Sequence, residues 1–152
     1  MTVSTARVSR VELTTLVLAL VALAVSIYLT VEHYAAPNSL ACPDTGAINC
    51  VKVTTSSYSH VLGAPVAVLG LAYFAAMTAL CLPPVWNRPQ TGVAQLRLAL
   101  SGAGLLFIFY LIWVELFRLD AICLWCTAVH ALGILLFAIL AVGYALRDSI
   151  SR

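Results

Sequence analysis

The chain has 152 residues, of which 62% are hydrophobic and 9% charged, which excludes an ordinary soluble globular domain. Its net charge of +2 is spread without a basic arm, and there is no phosphate-binding glycine loop or internal repeat. Nucleic acid is therefore not an expected partner.

The apolar residues gather in four windows free of Lys, Arg, Asp and Glu: 13–31, 61–82, 98–114 and 121–146. Each is close to the ~17–25 residues that cross a bilayer as a helix. The expected fold is an all-α membrane protein, a four-transmembrane-helix bundle with helices at about 13–31, 61–82, 98–116 and 121–146. An outer loop at 32–60, with a short helix, is expected to cap the bundle mouth. Residues 1–152 then form a single integral membrane domain.

Arg7 and Arg10 precede the first window, as in a signal peptide. The run that follows exceeds the ~7–15 residues of a signal core, which favours a retained helix. The loop after it holds "PNSLACPDTGAINC" and "VKVTTSSYSHVLGAP". Asp44-Thr45-Gly46 reads as a turn that brings Cys42 and Cys50 together. The Ser/Thr cluster at 54–59 suits the cap of a short helix across the mouth. Pro65 falls near the start of the second helix, where its missing N–H costs little.

The second and third helices are joined by the proline-rich "PPVWNRPQTG". The third and fourth are joined by "ELFRLD", so short that they must be antiparallel neighbours. Glu115, Arg118, His33 and His60 read as solvated residues near the outer interface.

Counting Lys and Arg gives the orientation. Arg7, Arg10, Arg88, Arg97, Arg147 and Arg152 fall on one side, Lys52 and Arg118 on the other. Six against two places both termini and the middle loop in the cytoplasm, with the active site on the outer side.

The chemistry lies in the cysteines. Cys42, Cys50, Cys123 and Cys126 share the outer side, where disulfides form and persist. Cys81 falls near the inner end of the second helix and reads as a small buried apolar residue. Cys123 and Cys126, in "LDAICLWCTAVH", lie on one helix face. Asp120 is the expected N-cap, with Cys123 at the third helical position. Unpaired amides there favour a thiolate and ready exchange.

Cys126 lies one turn deeper, where a lipid-soluble oxidant can meet it, while water-soluble thiols reach Cys42 and Cys50 more easily. Two exchangeable pairs at different depths make a relay. Structural bridges are the bland alternative, but one across a single helical turn closes too small a loop to constrain much. Zinc is disfavoured because Cys42-x7-Cys50 is a poor ligand spacing, so no metal is expected.

This pattern resembles the vitamin K epoxide reductase family in its bacterial branch. The residues that carry the resemblance are "CPDTGAINCVKVTTSSYSHVLGAPVAVLG" and "CLWC", and it covers nearly the whole chain. It implies that Cys126 reacts with a quinone ring, Cys123 exchanges with Cys50, and Cys42 exchanges with an external protein. Ser56 matches the family's Ser/Thr position, with Ser57 one residue away. His130 stands where vertebrate members carry tyrosine, four residues after Cys126 and on its face. An ionisable residue at that depth is a functional candidate. A histidine bonded to a neighbouring carbonyl is the alternative.

The resulting expectation is a thiol:quinone oxidoreductase of the bacterial cytoplasmic membrane. It would reoxidise a separate thioredoxin-like extracytoplasmic protein and reduce a quinone of the menaquinone, ubiquinone or vitamin K type. The alternatives are a reductase of vitamin K epoxide or quinone, and a non-catalytic membrane subunit with structural disulfides.

Overall fold

The computed structural model describes residues 2–35, 40–86 and 91–151. Arg88 and Arg152, two of the cations counted for the inner side, lie outside them, as do residues 36–39 of the outer loop. The elements in chain order are α1 (Thr2–Ala35), α2 (Cys50–Thr54), a 3-10 turn (Ser57–Ser59), strands β1 (His60–Val61) and β2 (Ala64–Pro65), α3 (Val66–Cys81), α4 (Pro83–Trp86), α5 (Thr91–Val114), a π-helical turn (Glu115–Leu119) and α6 (Leu124–Ser151).

Among the described residues three helical stretches are long and apolar enough to cross a membrane: Arg10–Ala35, Gly92–Leu119 and Leu124–Leu146. Large apolar side chains such as Leu13, Val17, Leu106, Leu135 and Val142 point outward from them. In water such a surface would aggregate; facing lipid it costs nothing.

The fourth apolar helix, α3, has 16 residues. It spans about 24 Å at the usual helical rise. It is shorter than the 61–82 window because residues 60–65 fold as an antiparallel hairpin, His60 opposite Pro65 and Val61 opposite Ala64. Leu62 and Gly63 form its two-residue turn, both at positive φ (52° and 83°). Hydrophobicity alone does not reveal that turn. Pro65 is the N-cap residue of α3, close to its expected place.

α1 packs against α3 and α6, and α5 packs against α6. The core between them holds Ala19 and Ala22 of α1, Phe74 and Met77 of α3, and Leu136 and Leu140 of α6. Small residues on α1 let helix backbones approach, the main source of packing energy between helices in lipid. Several buried hydroxyls bond carbonyls of their own helix. Thr15 donates to the Val11 carbonyl (2.9 Å) and Ser101 to that of Leu98 (2.9 Å). Thr30 bonds the Ser26 carbonyl at 2.7 Å and reaches across to Ala67 of α3 at 3.1 Å.

At the opposite end, buried Arg97 donates to the Leu80 carbonyl (2.8 Å) and stacks over Trp86 at 3.9 Å. This satisfies a carbonyl near the end of α3 and fixes α4 against α5. Cys81 is fully buried beside them, as its sequence context suggests.

Candidate active site

The outer loop is built around its cysteines. Gly46 takes φ 82°, its N–H lies 3.5 Å from Asp44 Oδ1, and Thr45 N–H donates to the Ile48 carbonyl (3.1 Å). The turn over 44–46 is thus present, and Cys42 and Cys50 form a disulfide with their Cα atoms 6.0 Å apart. Asn49, not a residue of the Ser/Thr cluster, caps α2: its side chain accepts from the Lys52 N–H at 2.8 Å.

This loop is stitched to the start of α6. Ile48 and Ile122 form a parallel bridge. Asn49 N–H donates to the Ile122 carbonyl (3.1 Å) and Ile122 N–H to that of Ala47 (2.9 Å). Trp125, between the two cysteines of "CLWC", donates its indole N–H to the Ala41 carbonyl (3.0 Å) and packs on Tyr28 at 4.8 Å. Cys50 (1% exposed) and Cys123 (0% exposed) consequently share one buried cluster, with Cys42 and Cys126 packed against it. The structure therefore brings together all four sequence-predicted cysteines. Cys42 is partly exposed and borders a surface depression with Pro43, Asp44 and Lys52.

Two local expectations are corrected. Asp120 does not cap α6. It adopts the left-handed conformation (φ 45°, ψ 45°) and closes the preceding π-helical turn, and α6 begins only at Leu124. Cys123 therefore stands immediately before α6, not at its third position. The cap is the cysteine itself: Cys126 N–H donates to Cys123 Sγ at 3.3 Å. The sulfur still faces unpaired amides, as the chemistry asks, but from the capping position.

Glu115 is not solvated either. It is 6% exposed, and a backbone hydrogen bond from Cys123 reaches its carboxyl. The π-helical turn that begins at Glu115 has no hydrophobic signature, which is why sequence reasoning placed this residue in water. Arg118 is exposed as expected and donates to Tyr58 Oη at 2.9 Å, tying the loop to the end of α5.

Below the cysteine cluster lies a partly open, mostly apolar cavity of about 320 Å³. Its walls include Ser56, Tyr73, Phe74, Glu115, Cys126 and His130. This volume lies at the lower end of the range for small-molecule sites. His130 is buried on this wall, and among the described residues no hydrogen bond reaches its ring. The carbonyl-bonded alternative for His130 is therefore not what the structure has.

Ser56 lines the cavity while Ser57 is not on its wall, and the Ser56 hydroxyl donates to the Val53 carbonyl (2.8 Å). His33 also reaches the wall, and its ring lies 5.4 Å from that of His60. Tyr73 was not singled out from sequence. Its hydroxyl is buried with no hydrogen-bond partner among the described residues, and its ring sits against Gly104, where any Cβ would collide with it.

One disulfide, Cys42–Cys50, and two free thiols, Cys123 and Cys126, thus gather above an apolar cavity. The model of the vitamin K epoxide reductase family matches residues 13–141. The chain belongs to that family. No curated protein matches it significantly. Membership makes this a membrane redox protein, an oxidoreductase, and the matched span contains the four clustered cysteines, His130 and Glu115. The vitamin K epoxide reductase family is known to use quinones. Among the described residues no group of three or more His, Cys, Asp or Glu is placed to hold a metal ion.

Proposed function

We propose that the protein is a thiol:quinone oxidoreductase of a bacterial cytoplasmic membrane that reoxidises a separate thioredoxin-like partner outside the cell membrane. The observation that carries this reading is the shared cluster of Cys50 and Cys123, with Cys42 toward the surface and Cys126 on the cavity wall. Electrons would enter at Cys42, pass from Cys50 to Cys123, and leave from Cys126.

The cavity fits a quinone head in two respects. Its walls are mostly apolar, and Tyr73 offers a buried hydroxyl that no group among the described residues uses. An unpaired buried donor is costly, so a ligand acceptor is its natural partner. Tyr73 and His130 would hold the quinone carbonyls, with Ser56 on the loop side. When bound, the quinone supplies an acceptor for two electrons and two protons. Cys126 presents its sulfur to that cavity, and Cys123 waits beside Cys50 to resolve either disulfide. The packed loop excludes bulk water from Cys123.

The function is tested with purified, fully reduced protein mixed with a short-chain quinone. Two quinols per protein should form, the first as Cys123 and Cys126 close into a disulfide and the second after Cys42 and Cys50 have reduced that pair again, with further turnover only when an external dithiol is supplied. Structural bridges would resist mild dithiol and leave the quinone untouched, which would end this reading. Reduction of vitamin K epoxide in preference to quinone would replace the acceptor and keep the relay.

The proposed orientation has both termini inside and the cysteines outside. A lone cysteine near position 45 should then react with impermeant reagents on intact cells, and one near position 90 should not. Labelling of position 90 from outside would overturn that topology.

A further inference from the structure

Glu115 is the buried acid that the cysteine relay leaves unexplained. It lines the same cavity as Cys126 and His130, and the Cys123 backbone bonds its carboxyl. Among the described residues no cation pairs with it, since Arg118 on its own turn is bonded to Tyr58. The other titratable groups on the cavity wall are His33 of α1, Tyr58 of the loop, Tyr73 of α3, and Cys126 and His130 of α6. None of these is a carboxylic acid. An unpaired acid at membrane depth is expensive and marks a proton path more often than a packing choice. It also opens a π-helical turn, a distortion frequent at functional sites.

We infer that Glu115 is the proton carrier of the Cys123–Cys126 pair, an inference that rests on the relay proposed above. When the Cys50 thiolate attacks Cys123 Sγ, the Cys50–Cys123 bond forms and the Cys123–Cys126 bond breaks. The electron pair stays on Cys126, and the Glu115 carboxyl supplies its proton. When Cys42 then attacks Cys50, the Cys42–Cys50 bond forms and Cys123 leaves as a thiolate that takes a proton by the same route. The protons released by Cys42 and Cys50 pass to water outside, and Glu115 is recharged from the cavity mouth. On reoxidation two S–H bonds break and one S–S bond forms. The Glu115 carboxylate accepts the proton of the attacking Cys123 thiol, and two electrons and two protons end on the quinone.

The test uses quinone-free protein with both disulfides formed. One equivalent of dithiol is added across a range of pH, the mixture is acid-quenched, and the disulfides are mapped by mass against time. Glu115→Gln keeps the shape and the acceptor for the Cys123 N–H but cannot carry a proton. It should slow transfer between the pairs roughly tenfold to a thousandfold and flatten its pH dependence, with Glu115→Asp recovering part of the rate. Equal rates and equal pH profiles for Gln and wild type would overturn the inference while leaving the relay intact. No transfer in the wild type would overturn both. If Gln prevents folding, Asp carries the test. A displaced pH midpoint supports the proton role, and a profile superimposable on the wild type's rejects it.

Discussion

Cys126→Ala is expected to abolish quinone reduction and to accumulate a Cys50–Cys123 disulfide joining the outer loop to the start of α6. A disulfide cannot close on one sulfur, so the loss should reach background. The trapped species follows from where the fold puts the sulfurs. With Cys126 gone, the Cys123 thiol can still attack Cys50 and release Cys42, and no Cys126 thiol remains to resolve the bridge by closing onto Cys123. Cys50 and Cys123 lie in one buried cluster, and the Ile48–Ile122 bridge fixes the two strands that carry them. The attack therefore needs no unfolding of the loop. Cys42→Ala should enrich the same bridge from the other side, and Cys50→Ala should hold the external partner on Cys42. Mass mapping after acid quench decides it. If every variant shows only Cys42–Cys50 or Cys123–Cys126, electrons do not pass between the pairs.

His130→Phe is expected to leave the fold and the cysteine exchange unchanged while slowing quinone reduction roughly ten- to a thousandfold. That is the range for losing acid–base help or a hydrogen bond to developing negative charge. The ring belongs to the same helix face as Cys126, about 6 Å further along the axis. It is buried on the cavity wall, and its hydrogen-bonding nitrogens are uncommitted among the described residues. Phenylalanine keeps the packing and removes only the polar atoms. Tyrosine, which can still donate, should recover part of the rate. The measurement is single-turnover reduction by pre-reduced enzyme at saturating quinone, so that differences in binding drop out. Equal rates for His, Phe and Tyr would make residue 130 a packing residue and leave Cys126 as the end of the site.

Composition and spacing were enough to determine a membrane protein, the two cysteine pairs and the face shared by Cys126 and His130. Each of these depends on one-dimensional quantities. A charge-free run of twenty residues has few fates other than lipid. Residues three or four apart on a helix share a side whatever surrounds them. The turn at Asp44-Thr45-Gly46 was legible for the same reason, since it needs only local backbone preferences.

The tertiary structure decided what depended on contacts between distant segments. The pairing of Ile48 with Ile122, and the bond from Trp125 to Ala41, join segments more than seventy residues apart. No periodicity in either segment announces the other. Glu115 looked like an interface acid because its neighbours in sequence are mixed. It is buried because a π-helical turn and a left-handed Asp120 end α5, so that the Cys123 backbone closes over its carboxyl. Tyr73 was one aromatic among many apolar residues of α3, until Gly104 of α5 proved to be the surface its ring rests on. The hairpin at 60–65 likewise shortened a helix that hydrophobicity alone extended to residue 61. Apolar pattern reports how much of a segment avoids water. It does not report which buried polar atom is left for a ligand, because that is settled by the groups that surround it after folding.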